Sequence, residues 1–194
     1  TSNGGIREPN KGLNYPSLAI GVDYSPKAMQ LKVREKKRLS NQPLERSLNV
    51  MPFLAGKAGG TTGTGANEQD VTFLVSGVAL RYLHQWSRVS AGMLELEGIS
   101  NMAYERQIEK AQGDEDHRQL ALQLGHVFML GKFEFSQAAG FYLYKEYGSP
   151  ANWFQRYGLL YYPWPRIGLG PNIRVHGHVA EFIDFRFVYK FAWQ

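Results

Sequence analysis

The densest group of ionisable side chains near the C-terminal end of the chain consists of His176, His178, Glu181 and Asp184. Imidazole and carboxylate groups are the usual members of acid–base relays, in which a histidine takes a proton from a nucleophile and a carboxylate orients the histidine. In a β-strand, His176 and His178 share one face because they lie two positions apart. These four residues are therefore our catalytic candidates.

The same two histidines could in principle share a metal ion, since imidazole is a common zinc ligand. The sequence identifies no third or fourth ligand near them, and the chain contains no cysteine. We therefore predict no metal and no other cofactor. The simplest interpretation of His176 and His178 is a hydrogen-bond network at the end of a strand.

The segment that must position these candidates alternates with a period of two. From Ile183 to Trp193 every second residue is apolar or aromatic, and Asp184, Arg186 and Lys190 lie between them. Such alternation indicates a β-strand, because successive side chains leave opposite faces. One apolar face and one charged face are typical of a membrane barrel wall, with lipid outside and a polar lumen inside, although a soluble sandwich remains an alternative.

The same alternation recurs along the chain and predicts eight strands. They span residues 46–55, 71–83, 88–97, 119–130, 133–147, 153–162, 166–178 and 181–193. Two weaker segments, 18–24 and 29–34, raise the count to ten if they join the wall. We therefore divide the chain into an irregular N-terminal segment, 1–45, in which an extra strand pair is left open, and a barrel, 46–194.

The predicted connections at one end of the barrel are shorter than those at the other end. Three short turns, 84–87, 131–132 and 163–165, fall on one side, whereas the long connections 56–70 and 98–118 fall on the other. We interpret 101–117 as a surface loop, with a short helix as the alternative because its composition is partly helical. Outer-membrane barrels combine short periplasmic turns with longer outer loops. The predicted fold is therefore all-β, an antiparallel up-and-down transmembrane β-barrel of 8–10 strands in the outer membrane of a Gram-negative bacterium.

Composition agrees with paired strands and excludes two other classes. Aromatic residues make up 13% of the chain and glycines number 21, which suits closely packed strands. No run of 18 apolar residues exists, so no transmembrane helix is predicted. The glycine-rich segment 56–70 lacks the Gly-Lys-Ser/Thr ending of a phosphate-binding loop. The basic run 32–38 is interpreted as a solvated loop, with binding of anionic lipid phosphate as the alternative.

The phase of the alternation also predicts what fills the barrel. Charged residues on several strands share the face opposite the apolar one, and we expect them to pair with one another, because an isolated charge in a narrow interior is costly. No wide pore is predicted, since a ring of eight or ten strands is filled by its own side chains. His126 shares the phase of Leu124 and Phe128, and we interpret it as an interface or packing residue.

Four segments carry a resemblance to a known family: 123–133 (QLGHVFMLGKF), 142–144 (YLY), 155–159 (QRYGL) and 176–184 (HGHVAEFID). They resemble small barrels of Bacteroidetes known as acyloxyacyl hydrolases, a group similar in turn to the lipid A 3-O-deacylase family, PagL. The resemblance extends over residues 118–193. It implies an outer-membrane β-barrel and, at greater distance, an esterase that acts on lipid A.

The residues that the deacylase family uses for catalysis match this chain only in part. The family carries a His-x-Ser motif, in which the serine attacks an ester and the histidine takes its proton, followed by a glutamate that orients the histidine. His176 stands at the histidine position, but His178 stands at the serine position and Lys190 near the glutamate position. An imidazole cannot replace a hydroxyl as an ordinary acyl acceptor. The resemblance therefore implies an incomplete catalytic motif.

We therefore predict a structural or accessory subunit of an outer-membrane assembly, without catalysis. One alternative is an esterase that removes an acyl chain from lipid A or a phospholipid; the other is a soluble β-barrel that binds lipid. We expect contact with outer-membrane lipid and lipopolysaccharide, leave other outer-membrane proteins open as partners, and expect no nucleic acid. With lipid outside, His176 and His178 point into the lumen, away from an embedded acyl chain.

Overall fold

The structure is a computed structural model, and it describes residues 44–62, 69–177 and 179–193. The predicted strand pair at 18–24 and 29–34, the basic run 32–38 and the candidate His178 all lie outside the described residues. The proposed boundary between residues 1–45 and the barrel therefore stays a prediction.

Eight antiparallel strands form a closed barrel in which each strand pairs with its neighbours in sequence and the last strand pairs with the first. The strands are β1 (Arg46–Thr62), β2 (Gln69–Ser87), β3 (Ser90–Asn101), β4 (Arg118–Leu130), β5 (Phe133–Lys145), β6 (Trp153–Trp164), β7 (Ile167–His176) and β8 (Val179–Trp193). The predicted up-and-down barrel is confirmed, and the ladder between β1 and β8 closes the ring at eight strands.

The two ends of the barrel differ. The short turns at 88–89, 131–132 and 165–166 lie at one end, here called the turn end, and the longer connections lie at the other, the loop end. Much of the predicted loop 56–70 is strand, and β2 continues through the predicted turn at 84–87. The first prediction was wrong because pairing between β1 and β2, such as Gly56 with Leu74, outweighs the low strand propensity of glycine. The second was wrong because residues 84–87 still pair with β3, His84 with Gly92 and Ser87 with Ser90.

A helix, α1 (Met102–Ala111), occupies the predicted surface loop between β3 and β4. Asn101 caps its N-terminus, because the Asn101 side chain accepts hydrogen bonds from the backbone N–H groups of Ala103 (3.1 Å) and Tyr104 (3.3 Å). The helix ends at Gln112, whose φ of 54° is left-handed. Because Tyr104 is buried at the loop end, α1 belongs to the barrel rather than to a free loop.

Polarity is inverted relative to a soluble protein. Large apolar side chains such as Leu124 (58% exposed) and Phe185 (54%) cover the outer wall. Four arginines, Arg81, Arg156, Arg174 and Arg186, are fully buried in the lumen. Apolar outside and charged inside is the arrangement of an outer-membrane barrel. No helix among the described residues is long and apolar enough to cross a membrane.

Ion pairs fill the middle of the lumen, as the phase of the sequence predicts. Arg186 donates to Glu95 (2.7 Å), and it also contacts Glu97 and Asp184. Arg81 donates to Glu95 at 2.6 Å. The remaining lumenal arginines contact the same carboxylates: Arg156 pairs with Glu97 and Asp184, and Arg174 pairs with Glu97. The charged layer lies between apolar clusters, one of which contains Met51 and Val188, and another Phe53 and Phe182.

Two irregularities in the ladders change which way side chains point. On β8, Glu181 has no partner on β7, since Arg174 pairs with Phe182 and Val175 with Ala180. On β5, Leu143 is skipped in the same way between the partners of Leu120 and Ala121. Such β-bulges re-aim the adjoining side chains and increase the local twist.

Candidate functional site

A group of five polar side chains from five different elements meets at the loop end of the lumen. We call it the rim cluster: Lys57 from β1, Tyr104 from α1, Tyr142 from β5, His176 from β7 and Glu181 from β8. Two of the four sequence candidates, His176 and Glu181, therefore lie together. The cluster lies on the inner face of the wall, as the phase of β7 predicts for His176.

The β8 bulge places the Glu181 carboxylate at the centre of the rim cluster. Without it, Glu181 would follow the phase of Ile183, which is 51% exposed on the outer wall. With it, the Glu181 side chain is only 9% exposed and turns inward beside Phe182. A local departure from strand geometry thus moves a carboxylate from the lipid face to the lumen.

Both oxygens of Glu181 face positive or hydrogen-bonding groups. Oε1 accepts hydrogen bonds from Lys57 Nζ (2.7 Å) and from the Tyr104 hydroxyl (2.7 Å). Oε2 lies 3.3 Å from His176 Nδ1 and 3.9 Å from Arg174 Nη1. The carboxylate is therefore shared among several groups and does not serve His176 alone.

The other ring nitrogen of His176 faces a phenol. Nε2 lies 2.9 Å from the Tyr142 hydroxyl, and this hydroxyl also accepts a hydrogen bond from Arg174 Nη1 at 3.2 Å. Because Tyr142 accepts from Arg174, its own proton is free to point at Nε2, and in that tautomer the imidazole hydrogen is on Nδ1. Nδ1 lies near Glu181 Oε2 but forms no hydrogen bond with it. The order phenol, imidazole, carboxylate resembles a hydrolase relay with tyrosine in the position of the nucleophile.

Tyr104 ties helix α1 to this cluster. Burial, and then the negative charge of Glu181, raises the pKa of the Tyr104 phenol well above its usual range, so it stays protonated and donates to the carboxylate. The ammonium of Lys57 lies 3.9 Å from the centre of the Tyr104 ring, a cation–π contact. Tyr104 thus supplies the polar contact of the helix with the rim cluster, and Ala103 and Ile108 are buried with it.

Of the other two sequence candidates, Asp184 is not part of the rim cluster, and His178 is not among the described residues. Asp184 lies deeper in the lumen, where it accepts from Arg186 Nε at 2.9 Å and contacts Arg156. His178 lies outside the described residues, so its role stays a prediction. Lys190, near the position of the family's glutamate, pairs with Glu134 at 2.7 Å. No group of three or more metal-binding side chains occurs in the described part of the chain, and His178 is not among those residues.

Sequence reasoning missed three members of the rim cluster, Lys57, Tyr104 and Tyr142. Lys57 falls in the segment interpreted as a glycine-rich loop, and Tyr104 in the segment interpreted as a surface loop. Tyr142 follows the inward phase of β5, and this phase was the one sequence signal that could have predicted its lumenal position. Their meeting depends on closure of the ring and on the position of α1, which no local pattern encodes.

A second arrangement lies on the outer face at the loop end. The Oγ of Ser100 is 3.3 Å from His117 Nε2, and His117 Nδ1 is 3.9 Å from the Asp116 carboxylate. We call these three residues the outer-face trio. Hydroxyl, imidazole and carboxylate follow one another in the order that activates a serine for acyl transfer, with a loose carboxylate contact.

The surroundings of the trio fix Asp116. Its carboxylate accepts a hydrogen bond from the backbone N–H of Arg118 (2.9 Å). The single proton of the Tyr144 hydroxyl is shared between Glu146 (2.9 Å) and Asp116 (3.2 Å). The bond from Arg118 lowers the pKa of Asp116, which keeps the carboxylate ionised. Tyr144 reaches it from the outer face because the bulge at Leu143 shifts the phase of the end of β5.

The wall below Ser100 has room for a substrate chain. Gly98 occupies the next outward position on β3, and a Cβ added there would meet no atom within 4 Å. Leu120, which pairs with Gly98 on β4, and Val78, which pairs with it on β2, flank this open position with exposed apolar side chains. An acyl chain is the kind of group that such an apolar notch accommodates.

The comparisons with known proteins give one family and one group of structures. A family model described as acyloxyacyl hydrolase, C-terminal domain (PagL_C), matches residues 47–193. The match covers every strand of the barrel except the first residue of β1. No curated protein matches the chain.

Three of the similar solved structures are of Ail, the attachment invasion locus protein of Yersinia pestis. A crystal structure of Ail is 12% identical, with a TM-score of 0.42, and the match covers 77% of this chain and all of that one (100%). Ail in complex with the heparin analogue sucrose octasulfate is 9% identical, with a TM-score of 0.39 and coverages of 77% and 100%. Ail in a phospholipid bilayer nanodisc is 14% identical, with a TM-score of 0.37 and coverages of 74% and 99%.

Proposed function

This chain belongs to the acyloxyacyl hydrolase C-terminal domain family, and on that premise we propose that it is a structural or accessory subunit of an assembly in the outer membrane of a Gram-negative bacterium. Its rim cluster stabilises the barrel and does not hydrolyse lipid. An origin in Bacteroidetes, contact with lipopolysaccharide and association with other outer-membrane proteins are parts of the same proposal.

The outer wall supports the membrane location. Four tryptophans near strand ends, Trp86, Trp153, Trp164 and Trp193, are 44–62% exposed, as expected of side chains at a membrane–water interface. A soluble barrel that binds lipid would need the opposite polarity, with an apolar lumen for the ligand. Flotation of the expressed protein with membranes, and its release by detergent but not by high salt, tests this step. Release by salt alone contradicts it.

The observation that carries the non-catalytic proposal is that both ring nitrogens of His176 face side chains of the barrel itself. Nε2 faces the Tyr142 hydroxyl and Nδ1 faces Glu181, whose carboxylate is also engaged by Lys57. A catalytic histidine needs a nucleophile that can reach the substrate, whereas the Tyr142 phenol lies on the lumenal side under Arg174 and Phe154. An ester in the outer leaflet meets the outside of the wall.

An assay of fatty-acid release tests directly whether the protein hydrolyses lipid esters. Purified protein is incubated in vesicles with lipid A or phospholipid, and released fatty acids are measured by mass spectrometry. We expect the same release from wild type and from His176→Ala, with neither exceeding a preparation without protein. Release by wild type that His176→Ala abolishes would contradict the proposal, provided that the variant keeps the heat-dependent gel mobility of a folded barrel.

The outer-face trio favours a second candidate function, an esterase. In this reaction Ser100 Oγ attacks the ester carbonyl carbon while His117 Nε2 takes the hydroxyl proton. The proton then passes to the leaving alcohol, and water hydrolyses the acyl-serine to free fatty acid and regenerates the serine. The position of Ser100 supports the esterase, because this serine lies on the outer face beside the open position at Gly98.

The same assay separates the two candidates. If the trio is catalytic, Ser100→Ala and His117→Ala abolish release, about 10³-fold or more below wild type. Ser76→Ala is the matched control, because Ser76 pairs with Ser100 across the β2–β3 ladder and, among the described residues, forms no hydrogen bond with His117 or Asp116. No release by wild type contradicts the esterase, and equal losses in Ser76→Ala and Ser100→Ala assign the effect to folding.

A further inference from the structure

A polar group lies in the middle of the apolar outer wall, away from both ends of the barrel. Gln137 is exposed on the outer face of β5, with Phe135 and Ala139 at the neighbouring outward positions. It pairs with His126 on β4 and with Tyr157 on β6. We call these residues, with Gln155, the amide patch: His126, Gln137, Ala139, Gln155 and Tyr157.

Within the described residues, the Gln137 amide makes no hydrogen bond. Tyr157 does not provide one, because its hydroxyl donates to Gln155 Oε1 at 3.1 Å. His126 instead packs its ring against Trp86, with centroids 5.7 Å apart, and against Phe128, with centroids 4.4 Å apart. The carboxamide therefore faces outward with its donors and its acceptor available.

Lipid chains cannot form hydrogen bonds with the Gln137 amide. The hydrocarbon interior offers no hydrogen bonds, so a polar side chain there is costly unless another protein group meets it. Ionic lipid headgroups lie at the membrane surfaces, whereas Gln137 has exposed phenylalanines on both sides along its strand, Phe133 in the direction of the turn end and Phe141 in the direction of the loop end. A protein surface at the same depth satisfies the amide.

We propose that the amide patch is the contact surface of a dimer of this chain in the membrane, related by a two-fold axis along the membrane normal. A two-fold contact uses the same patch of both copies, and a residue on the axis meets its own counterpart. We place Gln137 on that axis. A carboxamide suits this arrangement because it carries both donors and an acceptor, so Gln137 of one copy can bond to Gln137 of the other. The imidazole of His126 also combines donor and acceptor, and the Tyr157 oxygen can accept while its proton bonds to Gln155, so the patch complements itself.

The position of Ala139 supports a close contact between walls. Ala139 is exposed at the outward position next to Gln137, and small residues at membrane interfaces let two backbones approach. It pairs with Leu124 on β4 and with Gln155 of the patch on β6, so the small residue lies directly beside the polar side chains. The inference depends on the membrane insertion within our proposed function, which flotation tests separately.

Cysteine cross-linking in native membranes tests the dimer, since the chain contains no cysteine of its own. Gln137→Cys is oxidised in intact membranes and the products are separated without reductant. We expect a disulfide-linked species of twice the monomer mass. Leu54→Cys is the matched control, because Leu54 is 57% exposed on β1, across the ring from β5, and should stay monomeric.

Each outcome decides the proposal. No dimer band from Gln137→Cys, or equal bands from Gln137→Cys and Leu54→Cys, overturns it. A cross-linked band of another mass shows that a different protein covers the patch and also overturns it. Gln137→Leu provides an independent measurement, because leucine suits the lipid face and the barrel should still fold. We expect its dimer fraction in bilayers to fall at least tenfold below wild type, and an unchanged fraction contradicts the role of the amide.

Discussion

Glu181 lies with Oε2 3.3 Å from Nδ1 of His176, a contact that exists only because a bulge turns Glu181 into the lumen. The same carboxylate also binds Lys57 and Tyr104, so one side chain connects β1, β7, β8 and α1. A carboxylate with this many partners holds the rim together. Its removal should therefore affect stability before it affects any chemistry.

We expect Glu181→Gln to destabilise the barrel by about 3 kcal/mol, because breaking a buried ion pair leaves its partner charge uncompensated. The figure is at the low end of the usual range, since Lys57 is 15% exposed. Urea unfolding in lipid vesicles measures the change. Glu109→Gln is the control, because its pair with Arg106 is exposed and is worth less than about 1 kcal/mol. Equal effects of the two variants would contradict a structural rim cluster.

The raised pKa of Tyr104 predicts a loss of stability in alkali. The folded state keeps the Tyr104 proton above pH 10, where an unfolded tyrosine, with a pKa of about 10, loses it. Stability from this group is therefore full below pH 10 and falls above it, by up to about 1.4 kcal/mol per pH unit. Tyr104→Phe has no ionisable hydroxyl at this position and lacks this pH dependence. The difference in unfolding free energy between wild type and Tyr104→Phe should therefore decrease between pH 9 and pH 11. If this difference does not change with pH, the pKa of Tyr104 is not raised in the folded state.

The lumenal network predicts a large effect of a single arginine. Arg186 contacts three carboxylates, those of Glu95, Glu97 and Asp184, and its side chain is 0% exposed. Arg186→Leu leaves them with too few cations and should cost about 3–5 kcal/mol of unfolding free energy. Arg106→Ala on the exposed face of α1 should change it by less than about 0.5 kcal/mol. A small effect at Arg186 would mean that water enters the lumen freely.

Two glycines give a matched pair for packing. A Cβ at Gly170 would lie 2.0 Å from the backbone oxygen of Leu159, so Gly170→Ala must separate β6 from β7 and should cost about 1–3 kcal/mol. A Cβ at Gly98 meets nothing within 4 Å, so Gly98→Ala should be neutral or slightly stabilising. Unfolding in vesicles compares the two, and the reverse order of stability would contradict the packing of β6 on β7.

The filled lumen predicts that the barrel does not conduct ions. Paired arginines and carboxylates occupy its middle, with Phe53, Phe182 and Met51 packed beside them. Eight strands enclose a space that side chains fill. Protein reconstituted in planar bilayers should give no steady conductance above that of the bare membrane. A stable open level in wild type would require an aqueous path past Arg186.

Sequence reasoning performed well where the determinant is local. The two-residue period from Ile183 to Trp193 predicted both the barrel and the inward charges, because the alternation of a strand depends only on backbone geometry. It preferred a loop at 101–117, where the helical composition and the Asn101 cap are local signals for the helix that the structure contains. It failed at 56–62, where pairing with β2 outweighs the low strand propensity of glycine.

The sequence by itself determined that the barrel wall has an apolar outer face and a charged lumenal face, since both follow from residue type and the strand period. Only the tertiary structure decided which charges meet. The bulges at Glu181 and Leu143 shift the phase by one residue, and closure of β8 on β1 brings Lys57 to Glu181 from 124 positions away in sequence. Partners at that separation depend on register around a closed ring, and register is a property of all eight strands together.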